Sequence, residues 1–96
     1  MKTSPYQHFI VTTFRNPGEH SSAKLRVKPL PDQGLPEETR VECSRKMRST
    51  HPAGTIFKIR AKVTDREGGK LFLFSPHTWG YAVVSTDEAI SFIRDN

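Results

Sequence analysis

The sequence predicts an all-β domain, or a β-rich α+β one: a small antiparallel barrel or rolled sheet of five or six strands with one short C-terminal helix. Three observations predict it. Short runs alternate apolar and polar residues with the period of a strand. Turn-forming residues separate those runs, and helical periodicity is concentrated at the end of the chain.

The first strand is expected over residues 7–15, QHFIVTTFR, where Phe9 and Val11 share one parity. Asn16-Pro17-Gly18 then forms a turn, because Pro fixes φ and Gly accepts positive φ. The second strand covers residues 23–28, with Leu25 and Val27 facing one way and Lys24, Arg26 and Lys28 the other. PLPDQGLP, residues 29–36, has three prolines and a glycine and marks a long loop. Residues 37–48 carry two competing patterns. Pro36 before Glu37 and Glu38, with Arg45, Lys46 and Arg48 at the far end, suits a helix whose dipole is complemented. Thr39, Val41 and Cys43 alternating with Arg40, Glu42 and Ser44 suit a half-buried strand. The alternation favours a strand over 39–44 that runs into a short turn of helix at 45–50, stopped by HPAG.

The clearest strand is TIFKIRAKVT, residues 55–64: Phe57, Ile59, Ala61 and Val63 take one face, and Lys58, Arg60 and Lys62 the other. DREGG closes a turn, and KLFLFS, residues 70–75, is apolar on both parities, as in a strand covered on both faces. GYAVVS, residues 80–85, is the last strand. Ser85 with Glu88 three residues on is a capping box, so a helix is expected over about 86–94, with Ala89, Ile90 and Ile93 on its apolar face and Phe92 at the margin. That helix is expected to lie against the sheet or to plug one end of a barrel, and it is the candidate cover for the second apolar face of LFLF.

The 96 residues are read as one domain, residues 1–96, with a thin core, since only 34% are hydrophobic and the mean hydropathy is −0.58. No apolar run approaches the ~18–20 residues that cross a bilayer. The apolar stretch Phe9-Ile10-Val11 is too short for a signal-peptide core of ~7–15 residues. Cys43 is the only cysteine, which excludes an internal disulfide and places the chain in the cytoplasm. Charge is unevenly distributed. Residues 1–62 hold 12 Lys and Arg against 5 Asp and Glu, or +7, whereas residues 63–96 hold 3 against 5, or −2.

No catalytic or metal-binding motif is present. His8, His20, His51, His77 and Cys43 lack the close ligand pairs of a structural zinc site, so no metal and no cofactor is expected. Cys43 lies on the apolar parity of its strand and reads as a buried, inert thiol. Gly68-Gly69 is a turn without the lysine of a phosphate loop. A ribonuclease could be assembled from His51, His77 and a neighbouring cation, but nothing in the spacing requires it. Phe72 and Phe74 read as core before they read as a base-stacking platform, and Trp79 as a core anchor.

One repetition points to function. KLRVK at 24–28 and KIRAK at 58–62 each set three cations on alternate positions, the spacing of one strand face. Solvation alone would be served equally well by mixed signs. On neighbouring strands, the two rows would repel each other across the ladder, and an anionic partner would relieve that repulsion. The expectation is a non-catalytic nucleic-acid-binding domain that contacts phosphates through Lys24, Arg26, Lys28, Lys58, Arg60 and Lys62, extended by Arg45, Lys46 and Arg48. The alternative is an interaction or inhibitor module that docks the same cations on an acidic protein surface.

Overall fold

The alternating runs become six strands and two helices: β1 (Gln7–Phe14), β2 (Arg26–Pro29), β3 (Arg40–Glu42), α1 (Arg45–Thr50), β4 (Ile56–Thr64), β5 (Phe72–Phe74), β6 (Tyr81–Val84) and α2 (Thr86–Asp95). The computed structural model describes residues 6–15, 25–36, 38–65, 69–76 and 80–95. Lys24, His20, His77 and Trp79, each named above, lie outside the described residues. The strands form one sheet in the order β2-β1-β4-β5-β3, and β6 adds to β4. β3 comes back beside β2, so the sheet is a nearly closed barrel.

The inward parity of each strand fills the barrel. Phe9 and Val11 of β1, Phe57, Ile59 and Ala61 of β4, and Leu73 of β5 pack together with Met47 of α1. Val27, Val41, Cys43 and Val63 complete that cluster from positions that are partly buried. The alternation in 39–44 therefore reports a strand, with the short helix following as expected. Ser44 caps that helix by accepting a hydrogen bond from Met47 N at 3.4 Å. In the turn after α1, Gly54 adopts φ +92°, and its N–H donates to Thr13 O at 2.9 Å, which ties the start of β4 to β1.

Three expectations need correction. The sheet is not wholly antiparallel, because β3 pairs with β5 in parallel. The chain reverses once through α1 and again between β4 and β5, and two reversals bring β5 back to the direction of β3. Ile90 does not share the inner face of α2; it is 47% exposed, whereas Ala89 is buried and Phe92 and Ile93 are half-buried. At ~100° per residue, Ala89, Phe92 and Ile93 lie within one arc and Ile90 falls outside it. Finally, α2 packs on β4 and borders Ile10, Lys58 and Val84, so the side it covers is that of β1, β4 and β6. Leu73 and Phe72 of β5 are buried on opposite faces, as their double parity implied.

Candidate anion-binding surface

The pairing register places both cationic rows on the outer face of the same sheet, with β1 between them. Arg26 lies opposite Phe14 and Lys28 opposite Thr12 on one side of β1. Lys58 lies opposite Ile10 and Arg60 opposite His8 on the other. Directly opposed residues of an antiparallel pair share a face, so these four cations all point away from the core. Lys62 continues the row two residues beyond Arg60.

The two rows are not neighbours, and they do not stand level. Each described cation occupies its own level along β1, separated from the next by two residues, or about 6.7 Å. The lateral separation of the rows is two strand spacings, about 10 Å. Cross-strand repulsion between the rows is thereby avoided, and the cations form a diagonal stripe rather than a block.

Aromatic rings hold the lysines of the stripe. Lys28 Nζ lies 5.2 Å from the centre of the Phe14 ring, Lys62 Nζ 5.2 Å from Tyr6, and Lys58 Nζ 4.7 Å from Phe92 of α2. Such contacts contribute about 0.5–1 kcal/mol each when exposed. Lys58 differs from the rest, since Asp87 and Glu88 of α2 border the same hollow. The middle of the stripe is therefore shared with carboxylates, while Arg60 is exposed and Lys62 half-exposed beyond it.

The other end of the stripe opens into the seam of the barrel. Where β2 and β3 approach without pairing, a cleft of about 650 Å³ remains. Among the described residues, Arg26 and Lys28 of β2, Arg40 of β3, Arg48 of α1 and the carboxylate of Glu38 line it. Phe14, Val27 and Val41 supply an apolar wall. Arg48 Nε is shut off from solvent there without a hydrogen-bond partner. Leaving a buried donor unsatisfied costs about 1–3 kcal/mol, and more for a charged group. Arg40 was missed by sequence reasoning, because its strand showed a single cation where the repeated phrases showed three.

The remaining candidates are placed as follows. Arg45 and Lys46 are exposed on α1, and Arg45 sits three residues before Arg48, on the same flank of the helix. Cys43 is half-buried against the core; burial pushes its thiol above the ordinary value, and the Arg48 guanidinium partly opposes that shift. His51 is held in a ring cluster: its Nε2 lies 3.1 Å from Tyr81 Oη, and both rings meet Phe57 edge-on. Among the described residues, no cluster of three or more His, Cys, Asp or Glu could hold a metal ion. No described helix is long and apolar enough to cross a membrane. What the fold defines is a class: a small, nearly closed β-barrel with one C-terminal helix. No protein family, curated protein or solved structure matches this chain.

Proposed function

We propose that this protein is a non-catalytic nucleic-acid-binding barrel that contacts phosphates along the outer stripe and the seam, in the cytoplasm. The observation that carries the reading is the stagger of the cations. Arg26, Lys28, Lys58, Arg60 and Lys62 follow one another along β1, none opposite another, a layout a linear polyanion can track except at Lys58, where Phe92, Asp87 and Glu88 of α2 intervene. Within each row, a spacing of about 6.7 Å spans roughly two 3.4 Å rises of a nucleic-acid strand, so successive cations of a row can meet different phosphates. Phe14 and Tyr6, half-buried beside the cations, add apolar rings to the same surface. Contacts of this kind fix affinity and position and carry little sequence information.

The test is the salt dependence of binding to labelled oligonucleotides. Removing one cation that neutralises a phosphate should flatten the slope of log K against log salt by about 0.7 for single strands and 0.9 for duplex. The double variant Arg60→Gln/Lys62→Gln is thus expected to flatten the single-strand slope by about 1.4. Lys70→Gln/Arg94→Gln, in the acidic half of the sequence, is expected to leave it unchanged. Absence of binding at low salt, or equal weakening in both variants, would reduce the stripe to a solvated face and transfer the cations to the acidic-protein reading.

A further inference from the structure

The seam has a composition that the stripe lacks. On the stripe, cations follow a strand face that α2 partly covers at Lys58; in the seam, four cations and an apolar wall border one open cleft. Its volume, about 650 Å³, lies within the ~300–1,000 Å³ range of small-molecule sites. Among the described lining residues, Arg26, Lys28, Arg40 and Arg48 stand against Glu38, four cations to one carboxylate. Arg48 lines the cleft, and its Nε is buried without a hydrogen-bond partner, so part of its guanidinium lacks the contacts that a bound acceptor could add. Phe14 on the outer side of the seam, and Val27 and Val41 on its inner side, offer apolar contacts that phosphate cannot use and that a base or sugar can.

We infer that the seam between β2 and β3 is a nucleotide pocket, which takes one nucleotide of a single strand with its phosphate on Arg48 and Arg40 and its base against Phe14, Val27 and Val41. The inference rests on the nucleic-acid reading above and narrows it to single strands. In a duplex the bases are stacked and paired, and one can enter a cleft only by leaving the stack. Arg48 supplies the anchor as the half-buried cation of the lining whose Nε has no hydrogen-bond partner. Arg40, exposed on the rim, supplies the second charge.

Two measurements test it. In the first, adenosine monophosphate is titrated into the labelled full chain, followed by NMR. Shift changes are expected at Phe14, Val27, Thr39 and Val41, with smaller ones from adenosine or inorganic phosphate, each of which lacks half of the recognised chemistry. Changes absent from the seam would overturn the inference. In the second, single- and double-stranded oligonucleotides of one sequence are compared. The single strand is expected to bind at least tenfold more tightly. Arg48→Gln and Arg40→Gln are each expected to weaken single-strand binding about tenfold or more, and duplex binding by clearly less, since a duplex can use the seam cations only for its phosphates. Arg40→Gln, at an exposed position, keeps the test open if Arg48→Gln fails to fold. Equal affinity for both forms, with both seam variants neutral and Arg60→Gln/Lys62→Gln still weaker, overturns the pocket and leaves the stripe reading intact. Seam shifts with adenosine monophosphate but no oligonucleotide binding at low salt would overturn both the stripe reading and the single-strand assignment, and would leave the seam a site for a free mononucleotide only.

Discussion

Gln33 shows how one side chain can stand in for a strand. Its Nε2 donates to Ile10 O at 2.8 Å and to Leu30 O at 2.9 Å, and its Oε1 accepts from Ile10 N at 2.8 Å. Pairing of β2 with β1 ends at Pro29, opposite Val11, and Leu30 N still reaches Ile10 O at 3.0 Å. Beyond that point the amide gives the β1 backbone the donor and acceptor that a further strand residue would have offered. The loop reaches this position through two left-handed residues, Asp32 at φ +72° and Gly34 at φ +83°. Ile10 is fully buried, so its N–H has no water to fall back on. Gln33→Ala is therefore expected to destabilise the fold by about 1–3 kcal/mol, the cost of an unsatisfied buried group. Urea unfolding checks this: the midpoint should fall at an unchanged m-value. Gln33→Glu should not rescue it, since a carboxylate cannot donate to the two carbonyls.

Helix α2 owes its start to local chemistry and its place to the sheet. Ser85 N donates to Glu88 Oε1 at 2.8 Å, and Glu88 N donates to Ser85 Oγ at 3.1 Å, which closes the capping box. Asp87 and Glu88 occupy the first turn and Arg94 the last, each at the favourable end of the dipole. A helix of ten residues is marginal in isolation, so its packing through Ala89, Phe92 and Ile93 must supply the rest. Removing the cap with Ser85→Ala is expected to cost about 1 kcal/mol. In a domain of this size that lowers Tm by about 4–8 °C. Ser85→Asp, which keeps an acceptor at the cap, should retain most of the stability in the same thermal melt. Because Phe92 sits over Lys58, loosening α2 also unseats the middle of the cationic stripe.

Across the barrel, the arrangement of charge is a compromise between folding and binding. Placing β1 between the two cationic rows and staggering them removes the closest repulsions, yet a net +5 chain still gathers its positive charge on one side of its sheet. The residual repulsion acts over distances comparable to the Debye length, about 30 Å at 0.01 M salt and 8 Å at 0.15 M. The expected outcome is a Tm that rises with salt over this range without any ligand. Arg60→Gln/Lys62→Gln should flatten that rise, and Lys70→Gln/Arg94→Gln should not. Differential scanning fluorimetry across a salt series reads both. A Tm insensitive to salt in the wild-type chain would mean that the stripe carries no strain for a partner to relieve.

Side-chain alternation is a property of a single strand, so Phe57, Ile59 and Ala61 could be assigned inward, and Lys58, Arg60 and Lys62 outward, from residues 55–64 alone. The capping box at Ser85 and the strand-to-helix change near residue 45 were legible for the same reason, since every interaction involved spans a few residues. The parallel pairing of β3 with β5, the insertion of β1 between the cationic rows and the level of each cation were not. Those depend on which strand edges meet, and the partners are separated by tens of residues with no pattern marking them. Gln33 reaches back 23 residues to Ile10, and Arg26, Arg40 and Arg48 converge on one cleft from two strands and a helix. Local periodicity fixes the direction in which a side chain points. Its neighbours are settled when the strands close into a barrel, because the pairing that buries the most apolar surface is chosen by the whole chain at once.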